Sequence, residues 1–210
     1  MILNLSIITI KSTGGKMMNI LEDILKDLNE FIDYFTMKYK YENRGIIKKF
    51  RVKSGLNKQM NEEQWCKCFT IKSAINYCCK FILIKFYEDN KRILPKLNNE
   101  GFNNWTDMVV DVNSQYNNLY NIALKDILTI TEMKKAFKGS DYDIFKIDNE
   151  LASFMINRLI KYDFSKLDIV TLQNIVSRLY SDYDNINYFY RPSPAVEYIR
   201  NTTEIRESLI

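Results

Sequence analysis

The chain has 210 residues, of which 46% are hydrophobic and 27% charged, enough apolar material for one packed domain. It contains no histidine, which excludes the commonest general base, the commonest metal ligand and any Ser–His or Cys–His nucleophile pair. The net charge of +4 is uneven: residues 1–100 carry 18 Lys and Arg against 11 Asp and Glu (+7), and residues 101–210 carry 12 against 15 (−3), so the first half is the better surface for a polyanion.

Residues 1–10 are largely apolar, but no basic residue precedes the run and no small-residue cleavage site follows it, so it is a poor signal peptide. It is also too short to span a bilayer. Gly14-Gly15-Lys16 resembles part of a phosphate loop, but the Gly spacing is wrong. Residues 1–18 are expected to be a disordered leader, and the expected compartment is the cytoplasm, with no membrane association.

From Ile20 the apolar residues Leu21, Ile24, Leu25, Leu28, Phe31, Ile32 and Phe35 recur at helical spacing, predicting an amphipathic helix over 19–41. Residues 42–61 break that pattern with Gly45, Gly55 and a run of cations. A short hairpin is expected at 45–52. Arg44, Lys48, Lys49, Arg51, Lys53 and Lys58 stand between Glu42 and Glu62 with no acid among them and with Phe50 interleaved. A basic loop of that kind suits phosphate contacts, which supply affinity without reading sequence. The alternative is an ordinary solvated loop on a lysine-rich protein.

Glu62-Glu63 open a second long helix with acids in its first turn, where the helix dipole favours them. It is apolar nearly all round from Tyr77 to Phe86, which predicts a central buried helix from about Glu62 to Asn90, stopped by Pro95 and Asn98-Asn99. It also carries all four cysteines, Cys66, Cys68, Cys78 and Cys79. Their spacings are not those of a zinc knuckle, so buried free thiols in a reducing compartment are expected. Glu88-Asp89 are adjacent on a helix and do not converge on one point. They are expected to hold cations, with Lys91 or Arg92 nearest in sequence.

Beyond this helix, Trp105 to Leu128 read as helices with a break near Asn117-Asn118, followed by a turn at Gly139-Ser140 and helices over 151–160 and 167–180. The fold class is therefore all-α: a single multi-helix domain over 19–181. Pro192 and Pro194 bias Arg191 and Ser193 toward extended backbone, and Ser193 can cap a helix with Pro194 in its first position. Tyr183, Tyr188, Tyr190 and Tyr198 form an aromatic group that could stack on a base or on adenosine, with core packing expected for at least two of them.

The segment Ile186-Asn187-Tyr188-Phe189-Tyr190-Arg191-Pro192-Ser193-Pro194-Ala195-Val196-Glu197-Tyr198-Ile199 resembles the one that opens the catalytic domain of adenine-specific DNA methyltransferases of restriction–modification systems. That family writes Gly-x-Phe-Tyr-Thr-Pro and then a short helix; Asn187 stands for its Gly and Arg191 for its Thr. Lys80 to Asn90 and Leu159 to Tyr180 are similar to two further stretches of the family's helical region, in the same order. The resemblance implies that residues 182–210 lead toward a catalytic domain missing from this chain, and that Phe189, Tyr190 and Pro192 stand where the parent family holds S-adenosylmethionine. The family's Gly-rich cofactor turn and its Asn-Pro-Pro-Tyr motif are absent. The chain alone is therefore expected to bind no cofactor and to transfer no methyl group.

The resulting expectation is a non-catalytic helical module that contacts DNA and docks to a methyltransferase catalytic or specificity polypeptide. Two alternatives stay open: an N-terminal fragment active only when a second polypeptide completes it, and a helical interaction protein unrelated to DNA.

Overall fold

The computed structural model describes residues 5–42, 44–54, 60–183 and 191–202. Among these residues there is no strand, and the α-helices are α1 (Leu5–Glu42), α2 (Arg44–Ser54), α3 (Glu62–Asp89), α4 (Asn99–Met108), α5 (Tyr116–Ile127), α6 (Thr131–Ala136), α7 (Asn149–Leu159), α8 (Ile169–Ser181) and α9 (Pro194–Asn201). Short 3-10 turns occupy Val112–Ser114, Asp141–Ile144 and Phe164–Lys166.

The chain is organised around α3. Every residue from Cys68 to Glu88 is buried, so this stretch of the helix shows no polar face to solvent. Asn61 starts it, its side chain accepting the Gln64 N–H at 2.8 Å. Its C-terminal turn closes through Lys91, whose φ of 58° places a non-glycine residue in the left-handed region. Arg92 N then donates to Tyr87 O at 2.8 Å.

α1 lays Ile24, Leu25, Leu28, Phe31, Ile32, Phe35 and Tyr39 on this core. α2, α5 and α9 pack on α3 from other sides, and α7 and α8 pack on α1. Phe81 shows how the layers interlock. It is fully buried, stacked on Tyr120 at 4.4 Å and edge-on to Phe31 at 6.4 Å, so one side chain joins α1, α3 and α5.

Polar side chains on α3 are matched by residues brought from far along the chain. Lys80 Nζ meets Asp143 at 2.5 Å, and Asn76 donates to the same carboxylate at 2.8 Å. Lys85 pairs with Asp89 one turn on and donates to Tyr162 O at 2.8 Å. Asp89 also accepts the Phe164 N–H at 2.8 Å. The cation that Asp89 holds is thus on its own helix, where sequence proximity suggested Lys91 or Arg92.

Three expectations are corrected. Residues 45–52, expected as a hairpin, lie within α2. Ile47 is buried and Phe50 stacks on Phe69 at 5.7 Å. This three-residue spacing suits a helix packed on α3, and tertiary packing overrides the strand preference of Ile and Val. Residues 5–18 continue α1 instead of forming a disordered leader. Once a helix is nucleated each added residue gains a hydrogen bond, and Gly14 and Gly15 weaken it by only about 1 kcal/mol each.

The break expected at Asn117-Asn118 falls earlier, at residues 109–115, because Asn149 reaches in to accept the Tyr116 N–H at 2.8 Å and fixes the start of α5 there. Residues 191–202 pack with the helical domain. Ala195, Val196 and Ile199 of α9 are fully buried in the common core, so this part of the tail folds back onto it.

Candidate nucleic-acid interface

α2 is amphipathic. Ile47 is buried and Phe50 half-buried against α3, while Gly45, Lys48, Lys49, Val52 and Lys53 are exposed. Positions 48, 49, 52 and 53 fall on one helical face, so three lysines project together. Arg51 turns the other way. Its guanidinium donates to Met60 O at 2.8 Å and lies 3.5 Å from Glu62, tying α2 to the start of α3.

The six cations therefore separate by role. Lys48, Lys49 and Lys53 form an outward set, and Arg51 is a structural tie. The Arg44 side chain and Lys58 lie outside the described residues. Lys53 Nζ is 3.7 Å from Asp141 and 5.8 Å from the centre of the Phe50 ring. At 70% side-chain exposure it stays available to an anion. The expected basic loop is, over 44–54, a helix whose cations are held in register.

The segment around Pro192 is built differently. Ser193 is buried and caps α9, accepting the Val196 N–H at 3.4 Å, with Pro194 at the first helical position as its missing N–H allows. Tyr142 donates its hydroxyl to Arg191 O at 2.6 Å. Gln173 closes the other end of α9, donating to Ile199 O at 3.0 Å and Thr202 O at 2.9 Å. Pro192 is half-buried at the entry to the helix. Phe189, Tyr190 and Tyr188 lie outside the described residues.

The two remaining tyrosines of the expected stacking group serve different elements: Tyr198 meets Tyr87 of α3 at 3.0 Å, and Tyr183 donates to Asn29 of α1 at 3.3 Å. Among the described residues there is no strand-to-helix Gly-rich turn of the kind that cradles S-adenosylmethionine.

Two clefts mark the surface. One, of about 540 Å3, lies between α1, α2 and α3 and is bordered by Thr36, Lys40, Ile47, Glu62, Cys66 and Lys67. The other, of about 860 Å3, lies beyond the end of α3 and is bordered by Glu88, Asp89, Arg92, Leu94, Asp126 and Asp163.

Glu88 is the residue that sequence inspection underrated. Its Oε2 accepts the backbone N–H groups of Leu97 (2.7 Å) and Asn98 (3.1 Å), and its buried Oε1 has no hydrogen-bond partner. Burial pushes its carboxyl up to about 7, against the pull of the backbone N–H groups and Lys85. Only the acid at the end of an apolar run hinted at this role.

Cys68, Cys78 and Cys79 are buried and Cys66 is half-buried, and no disulfide joins them. Burial pushes Cys79 up to about 12, which makes it a poor nucleophile. Among the described residues no group of three acidic or cysteine side chains is placed to hold a metal, and no helix is long and apolar enough to cross a membrane. No family model matches the chain, and neither a curated protein nor a solved structure does.

Proposed function

We propose that this chain is a non-catalytic helical module of a DNA adenine methyltransferase or restriction–modification system, which contacts DNA through α2 and docks to a catalytic or specificity polypeptide. The observation that carries the DNA contact is the outward set Lys48, Lys49 and Lys53, held on one face of a helix whose other face is anchored by Ile47 and Phe50. Lysines on a fixed face meet successive phosphates without reading bases. The docking role and the methyltransferase parentage rest on the segment from Phe189 to Ile199 and on the order of the two earlier stretches.

DNA binding by the isolated chain is then weak, sequence-tolerant and salt-sensitive. Replacing Lys48, Lys49 and Lys53 together by Glu should abolish it, while Lys166→Glu, on a distant turn, should change it little. Filter binding at low salt checks this, and retention of DNA by the triple variant would refute the contact. S-adenosylmethionine should not bind the isolated chain, and heat released on calorimetric titration with micromolar affinity would contradict the module reading.

A further inference from the structure

We propose that Arg191 and Lys138 belong to the same cationic surface as Lys48, Lys49 and Lys53, and that this composite surface takes the phosphate backbone of duplex DNA, a proposal that rests on the DNA-contact reading above. The turn Asp141–Ile144 joins the three segments. Lys53 Nζ, near the end of α2, lies 3.7 Å from Asp141. The next residue, Tyr142, donates to Arg191 O at 2.6 Å. Lys138 enters the same turn, which Asp143 closes by accepting the Ser140 N–H at 2.8 Å. α6, which ends two residues before Lys138, packs against α9, which begins three residues after Arg191.

Arg191 and Lys138 are both exposed. The acids of this corner do not cancel them. Asp143 is occupied by Lys80 at 2.5 Å and Asn76 at 2.8 Å. Asp141 faces Lys53, and Glu62 lies 3.5 Å from Arg51. Glu63 is exposed in the first turn of α3.

The backbone of Arg191 has little freedom. Its carbonyl is held by Tyr142, and Pro192 restricts its backbone to extended conformations. A guanidinium suits two phosphate oxygens at once. A duplex carries one charge per about 1.7 Å of its axis, so a patch drawn from α2, the 137–141 segment and the entry to α9 meets several phosphates together.

The test is fluorescence anisotropy with a labelled duplex of about 20 base pairs, two helical turns, titrated at several salt concentrations. Wild type is compared with Arg191→Gln plus Lys138→Gln and with Lys48→Gln, Lys49→Gln plus Lys53→Gln, all surface changes whose folding circular dichroism verifies. The expected result is weaker binding by both variants, with the slope of log affinity against log salt shallower by about 2 for the double variant and about 3 for the triple.

An unchanged slope in the double variant, with loss in the triple, confines the contact to α2 and overturns this inference while the DNA-contact reading stands. Loss in the double variant alone overturns the shared surface. Absence of salt-dependent binding by wild type defeats the DNA-contact reading itself, and this proposal with it.

Discussion

Glu88 is a carboxyl buried at the end of the central helix, with Oε2 engaged by two backbone N–H groups and Oε1 unpartnered. Lys85, one turn earlier, favours its charged form, and burial and Asp89 oppose it. The folded carboxyl titrates near 7 and the unfolded one near its ordinary 4.5, so between these values the folded state keeps a proton that the unfolded state has released. Its contribution therefore favours folding below about pH 4.5 and is lost as pH rises through about 7. Thermal melts from about pH 5 to pH 8 should show stability falling more steeply in wild type than in Glu88→Gln, which keeps an acceptor for Leu97 and Asn98. Parallel pH profiles would exclude Glu88 as the source.

At the scale of elements, the α3–α4 corner depends on one glycine. Gly101 sits in the first turn of α4, where Asn98 accepts its N–H at 2.9 Å. A Cβ there would lie 2.3 Å from Lys96 N and from the carbonyl carbon of Pro95, both backbone atoms that cannot swing aside. Gly101→Ala should therefore cost on the order of 2 kcal/mol despite alanine's better helix propensity, because overpacking forces a backbone shift. Chemical denaturation measures it, and a stabilised variant would show that the corner yields. Gly45 makes the contrast: nothing lies within 4 Å of a Cβ built on it. An alanine there has only helix propensity to express, about 1 kcal/mol in its favour.

For the molecule as a whole, stability concentrates where α1, α5 and α3 meet. Phe81→Ala should cost about 3–5 kcal/mol, since it empties a fully buried site shared by Phe31 and Tyr120. A cost near 1 kcal/mol, read from urea midpoints, would mean that the surrounding helices collapse into the space. Ion pairs at the periphery contribute far less. Arg178 with Glu22 links α8 to α1, and Arg158 with Glu30 links α7 to α1, both at exposed or half-exposed positions where such pairs add little. α9 belongs to this same body. Its three buried apolar residues and the Gln173 cap at its end explain why the Pro192–Pro194 segment is part of the core and does not project from it.

Helical class and the central place of α3 were legible in the sequence, because a period of 3.6 and an apolar run with no polar face leave few other solutions. The cap at Ser193 was legible for the same local reason: a short side chain meets N–H groups only a few residues away. What lay beyond local rules was decided by packing. Ile47 and Phe50 read as strand or loop until Phe69 supplied the surface that makes α2 a helix, and that surface turned Arg51 inward and left Lys48, Lys49 and Lys53 outward. The partners of Lys80, Glu88 and Arg191 could not be named in advance, since their hydrogen bonds join residues far apart or depend on how a loop returns to a helix end. Periodicity and capping act over a few residues and are written in the chain. Which charged groups are buried, paired or left to solvent depends on the burial that only the assembled core creates.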